Sequence, residues 1–215
     1  MALSAEQVST LCSIRDEWNK AENTIKLAEQ VCNEIVFPSI NELRYAGRRL
    51  VDLIDGIYSG ASEEELSALL ADARFDCHRA RHDAIDAATA HIATQIQIMV
   101  KLLRYDAIIP AFPTFPALVK DLDLVRARIA ISRENRGNRA SIYAAIEEAD
   151  FPRLVTSYRS LLESEPMMLR IAKQHRARDF FGKWSFFVSI AALIAAVLLA
   201  IFADSLPQIT IAWPR

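Results

Sequence analysis

Residues Trp184 to Ala203 read WSFFVSIAALIAAVLLAIFA, twenty positions without a charge, a proline or a glycine. At ~1.5 Å rise per residue, a helix of this length covers the ~30 Å hydrocarbon core of a bilayer. Eleven of the twenty are Leu, Ile, Val or Phe. Each contributes about 0.3–0.6 kcal/mol to insertion, several kcal/mol together. Ser185 and Ser189 are the only polar members. A helix buried in a soluble core normally keeps a polar stripe, and this one has none, so the stretch predicts a transmembrane helix. Nothing upstream has this character.

The flanks set the orientation. Arg170, Lys173, Arg176, Arg178 and Lys183 precede the span against Asp179, whereas Asp204 and Arg215 are the only charged side chains after it. The positive-inside bias therefore predicts a single-pass protein of the inner (plasma) membrane, with its N-terminal side in the cytoplasm. Trp184 and Trp213 suit headgroup level, and the tail 204–215 is expected on the outer interface. The N-terminal MALSAEQVSTLCS has neither a basic segment nor an apolar one. No signal peptide is expected, and the pattern is that of a tail-anchored protein. Along the span, Ser185, Ser189, Ala192, Ala196, Ala200 and Ala203 recur every three or four residues, opposite Phe187, Ile190, Ile194 and Ile201. Such a stripe lets transmembrane helices approach closely and predicts a homo-oligomer packed through this face.

Upstream, about 180 residues leave room for one core. Five glycines in 215 residues favour helices over sheets, and a net charge of −2 offers no general attraction for nucleic acid. Cys12, Cys32 and Cys77 are odd in number and widely spaced, with no CxxC, which reads as reduced, buried thiols.

Helix starts and stops organise the bundle. Ser4 with Gln7, Ser39 with Glu42 and Ser62 with Glu65 each form the Ser-x-x-Glu/Gln capping pattern and predict three helix starts. Leu11, Ile14, Trp18, Ala21, Ile25, Ala28, Cys32 and Ile35 give the first helix a heptad-like apolar face. Pro38 stops or kinks it. Leu43, Ala46, Leu50, Leu53, Ile54 and Ile57 form the buried face of the second helix, with Glu42, Arg44, Arg48, Arg49, Asp52 and Asp55 on its solvated side. The third helix, to about Tyr105, exceeds forty residues and implies an elongated shape. The triple-proline stretch IIPAFPTFP reads as a rigid turn. A fourth helix from about Pro116 to Arg133 buries Leu118, Leu122, Val125 and Ile129. A loop over Ser132 to Asn138 follows. A fifth helical region restarts at a capping Asp150, buries Leu154, Tyr158, Leu161 and Leu162, and a last helix starts near Ser164.

The predicted fold is therefore all-α, an elongated antiparallel bundle of long helices followed by one C-terminal transmembrane helix. The segments are a bundle over 1–164, a basic juxtamembrane helix over 165–183, the span over 184–203 and the tail over 204–215.

Two constellations bear on chemistry. His78 and His82 lie four apart on one helix, near Cys77, Asp83 and Asp86, the spacing of half a metal site. No second His or Cys cluster completes it, so no metal is expected, and with Arg79 and Arg81 the group reads as a polar helix flank. The second is Arg170, Ile171, Ala172, Lys173, Gln174, His175. Arg and His separated by four residues in an all-helical chain resemble the HEPN superfamily of helical-bundle ribonucleases. The resemblance implies a metal-independent site paired in a dimer, Arg170 binding the scissile phosphate of RNA and His175 promoting attack by the ribose 2′-hydroxyl.

The sequence holds no Gly-rich phosphate loop, nucleophile elbow or zinc-protease helix motif. The leading expectation is a protein without enzymatic activity or cofactor that oligomerises at the inner membrane, as a scaffold or as a membrane-perturbing effector of the antiviral-defence type. A membrane-tethered HEPN-like ribonuclease is one alternative. A tail-anchored adaptor that recruits a soluble protein partner is another. Lipid is a partner under all three.

Overall fold

A computed structural model describes residues 3–202, which are almost entirely helical and contain no strand. The span's last residue, Ala203, and the predicted outer tail lie outside the described residues. Helix α1 (Ala5–Cys32) opens on the expected capping box: the Ser4 hydroxyl accepts from the Gln7 amide while the Gln7 side chain accepts from the Ser4 amide. Asn33, at φ 54°, closes it in the left-handed conformation that Asn tolerates. Helix α2 (Phe37–Ser59) runs back, and α3 (Glu63–Leu103, 41 residues, ~60 Å) opens on the Ser62–Glu65 box. Gln7 reaching Glu63 and Ser67, and Glu17 reaching Arg81, put α1 parallel to α3. Glu42 at Arg79 and Arg49 at Asp72 put α2 antiparallel to it.

The start of α2 departs from the expected capping box. Val36 occupies the N-cap position without a side-chain bond, and Pro38 sits in the first turn, where its fixed φ suits a helix start. Pro38 thus begins α2 and does not interrupt α1. Ser39 is fully buried, and Glu42, expected on the solvated face, is buried and bound to Arg79 at 2.9 Å. The motif's side chains face inward because the first turn of α2 is itself packed. Arg48 with Asp52 does form the expected surface pair, 2.9 Å apart.

Most of the proline-rich stretch is helix. Residues Tyr105–Ala111 form α4, and only residues 112–114 turn before α5 (Phe115–Glu134). Pro110 is accommodated because α4 is barely two turns long and loses a single internal hydrogen bond. The expected loop from Ser132 is shorter than read: α5 continues to Glu134 and buries Ser132, and a 3₁₀ turn covers Arg136–Asn138. Helix α6 (Arg139–Ala145) then widens into a single π-helical segment, Ile146–Asp150, which passes without a break into α7 (Phe151–Glu163). Asp150 is helical itself and caps nothing. Its carboxylate accepts from Arg128 of α5 and lies 3.4 Å from Arg153. Ser164 bends the chain into α8 (Glu165–Phe202).

The apolar faces pack in two clusters. The distal one joins Ile14, Ala46, Leu53, Leu66, Leu70, Ala73 and Cys77. The larger one runs from Ala21, Ile25 and Ala28 through Ala80, Ala84, Ala88 and Ile92 to Leu118, Val125, Leu154 and Met168. Fully buried alanines on α1 and α3 let these backbones approach, and each buried Leu or Ile contributes about 1.5–3 kcal/mol. Ile54 and Leu162, expected inside, are exposed on their helices, as is Cys12 on α1, and Ile35 is exposed in the link between α1 and α2.

Candidate functional site

Helix α8 divides into two parts. Its base is docked: Met168 and Ala172 are buried in the core beside Ala107 and Ile108 of α4, and Ile171 packs against it. His175 lies with Nδ1 3.4 Å from an Asp106 oxygen, and Arg176 donates to the Leu102 carbonyl at 3.2 Å, occupying one of the carbonyls left free at the end of α3. From Lys173 to Ile201 every described side chain except that of His175 is exposed. This helix is long and apolar enough to cross a membrane.

The basic flank is placed as follows. Arg170, Lys173, Arg176 and Arg178 are all exposed on α8, and the side chain of Lys183 lies outside the described residues. Phe180 stacks edge-on with Phe181 and leans on Trp184, with centroids 6.1 and 6.3 Å away. Ser185, Ser189, Ala192, Ala196 and Ala200 line one exposed side of α8, and the Ser189 hydroxyl is satisfied by the Ser185 carbonyl at 2.9 Å.

Arg170 and His175, the pair that resembles a ribonuclease motif, stand five residues and therefore about 140° apart around α8. His175 faces α4, while Arg170 makes no hydrogen bond or ion pair among the described residues. Asp106 is held below its ordinary range by the hydrogen bond with His175 and by the charge of Arg104.

A second cluster, which the sequence reading left on a polar flank, is buried between the two apolar clusters. Arg81 on α3, 8% exposed, bridges Glu17 of α1 at 2.7 Å and Glu147 of the π-helical segment at 3.0 Å, and lies 2.6 Å from His78 Nδ1. Glu147 also accepts from Thr24 at 2.9 Å. Burial raises the Glu17 carboxyl, but the hydrogen bond from Lys20 and the charges of Arg81 and His78 outweigh it and hold the group low. One turn on, His82 stacks on Tyr143, whose hydroxyl donates to Asp86 at 2.6 Å, and Arg133 donates to the other Asp86 oxygen at 2.9 Å. Burial, then the charges of Arg139 and Arg81, depress His82 to about 3, and burial with the Asp86 bond raises Tyr143 to about 12.

His78 and His82 are thus engaged with Arg81 and Tyr143, and Cys77 is fully buried with its thiol pushed up to about 11 by burial. Among the described residues no group of three His, Cys, Asp or Glu side chains is disposed to hold a metal ion. The signal that could have marked the network is positional. Glu17 adjoins Trp18 on the apolar face that runs from Ile14 to Ala21, and Arg81 directly follows the buried Ala80. Compared with known protein families, with curated proteins and with solved structures, the chain finds no match.

Proposed function

We propose that this chain is a single-span membrane protein that displays a helical bundle on the cytoplasmic side of the inner membrane, self-associates, and serves there as a scaffold. The observation that supports it is α8 itself. One unbroken helix is locked into the bundle at Met168 and Ala172 and continues as an exposed apolar rod through Ile201. Leaving that surface in water costs about 25 cal/mol per Å² of apolar area, so it requires a lipid or protein environment. The length of the uncharged run matches a bilayer, and the basic residues gather at one end of it only. Because helix and bundle are one body, neighbouring spans packed through the Ser185–Ala200 face would bring the bundles together.

The test is insertion and topology. Alkaline carbonate should leave the full chain in the membrane and release a chain truncated before Trp184, and a reporter after Arg215 should be active only outside the cytoplasm. Extraction of the full chain, or a cytoplasmic reporter signal, contradicts the reading. Dye release from proteoliposomes distinguishes a scaffold from an effector that opens the bilayer.

A ribonuclease is the second reading, favoured by the contact between His175 and Asp106 and by Arg170, exposed one turn earlier on α8 without an ion pair among the described residues. With its proton on Nδ1, the ring donates to Asp106 and leaves Nε2 as a base, while Arg170 can bind phosphate. The two side chains diverge around α8, so a complete site would need a second copy of the chain.

A further inference from the structure

At the end of α3 the chain doubles back through Arg104, whose φ of 64° makes a sharp elbow between α3 and α4. Lys101, Leu102, Arg104 and Tyr105 are all exposed there, Leu102 at 61% and Tyr105 at 58%. The elbow is tied to α8 by the Arg176 bond to the Leu102 carbonyl and the His175 contact with Asp106. Those bonds set its height on the helix. Arg176 precedes Phe180 by four residues, about 6 Å, and Trp184 by eight, about 12 Å. The headgroup layer is roughly 5–8 Å deep on each side of the hydrocarbon. With the Phe180, Phe181 and Trp184 rings at the interface, where aromatic residues settle, the elbow stands at headgroup level.

Charge agrees with height. Lys101, Arg104, Arg170, Lys173, Arg176 and Arg178 surround this end of the bundle, against Asp106 and Asp179. Asp106 lies 3.8 Å from Arg104 and 3.4 Å from His175 Nδ1. Asp123 borders the adjoining α3–α5 groove with Lys101, which leaves Arg104, its side chain 80% exposed, as the leading cation of the elbow.

We propose that the α3–α4 elbow is a second, peripheral membrane contact: Arg104 and Lys101 bind anionic phospholipid headgroups while Leu102 and Tyr105 enter the interface. The proposal rests on α8 being a membrane span. Two contacts, span and elbow, hold the ~60 Å bundle at one inclination to the surface, where a span alone would leave it free to pivot. Each cation near an anionic surface adds to docking and each is screened by salt.

The experiment uses the full chain in lipid nanodiscs, with Cys12→Ser as background because Cys32 and Cys77 are buried. A fluorophore is placed by Leu102→Cys, by Tyr58→Cys at the far end of α2, or by Val197→Cys in the span. It is quenched by spin labels on the headgroup or on the acyl chain. Headgroup quenching at position 102 should exceed that at 58 in discs containing phosphatidylglycerol and weaken in phosphatidylcholine alone or in high salt. Arg104→Gln should lower the docking equilibrium constant on the order of fivefold, and Lys101→Gln should lower it by less. Equal quenching at 102 and 58 in anionic discs, with Val197→Cys quenched from the acyl chain, overturns the docking proposal and leaves the span intact. Quenching at 102 that ignores lipid charge overturns the role given to Arg104 and Lys101. Absence of acyl-chain quenching at 197 overturns the span and, with it, the elbow contact.

Discussion

His82 lies face to face with Tyr143, the ring centroids 3.7 Å apart and the planes 19° from parallel. The contact joins α3 to α6, and the imidazole is pushed down to about 3 from an ordinary 6.5 by burial and by the charges of Arg139 and Arg81. Below pH 6.5 an unfolded chain protonates this histidine while the folded chain does not. The unfolded state then binds more protons, so stability falls as pH falls, from about 6.5 toward 3, by about 1.4 kcal/mol per pH unit. Above 6.5 the contribution is constant. His78, also lowered by burial and by Arg81, adds in the same direction. Urea denaturation followed by near-ultraviolet dichroism between pH 7 and pH 5, above most carboxylate titration, should show a shallower slope for His82→Phe than for the wild type. Equal slopes would mean that His82 is not the group responsible.

Arg81 joins three elements, and its loss exposes the cost of what it neutralises. Arg81→Met leaves Glu147 with Thr24 alone and Glu17 with Lys20, inside a site where Arg81 is 8% exposed. The expected destabilisation is about 3 kcal/mol, the lower end for a broken buried ion pair. Adding Glu17→Leu and Glu147→Leu removes the stranded charges and should recover most of it, because an apolar layer of similar volume is about as stable as a buried triad. A triple variant less stable than Arg81→Met would show that the network's value lies in its hydrogen bonds to Thr24 and Lys20.

These two networks also show where the sequence was legible. The capping boxes at Ser4 and Ser62 depend on neighbours three residues apart, and both formed as read. The α5 face of Leu118, Leu122, Val125 and Ile129 was equally visible, since helical periodicity needs no distant partner. Ser39 with Glu42 carried the same local signal, but tertiary packing buried it, and Pro38 supplied the helix start instead. Arg81 with Glu147 spans 66 residues and Thr24 with Glu147 spans 123. No local pattern encodes such pairs, so Arg81 read as a surface charge. The apolar rod of α8 was the most legible feature because its composition alone decides it, whereas the docking of its base through Ala172 and His175 depends on α4, which the prolines had disguised as a turn.

Arg170 and His175 separate the two functional readings. Under the ribonuclease reading, Arg170→Ala or His175→Ala abolishes RNA cleavage, or any growth arrest the protein causes, while membrane localisation is retained. Arg170→Lys keeps the charge but not the guanidinium fork that binds phosphate in two places, so it should also be inactive. If Arg170 serves only as membrane flank, Arg170→Lys should behave as wild type in every assay. Asp106→Asn tests the contact with His175: it should depress cleavage in the first case and change nothing beyond local stability in the second.

Assembly is the last test, because the scaffold reading requires copies to meet. Ser185, Ser189, Ala192, Ala196 and Ala200 are small enough for two helices to approach closely, and Leu at two of these positions would hold them apart without lowering hydrophobicity. Ala192→Leu with Ala196→Leu should therefore insert normally yet lose crosslinked oligomers in detergent. Ile190→Leu with Ile194→Leu, on the opposite side, should crosslink like the wild type. If all three proteins crosslink alike, the contact lies in the bundle. The exposed α2 residues Val51, Ile54 and Tyr58 then become the face to change, since the apolar seam of α1 is occupied by α3. A monomer in every case removes self-association and leaves a tethered adaptor, for which the burial of Met168 and Ala172 in the core still joins α8 to the bundle.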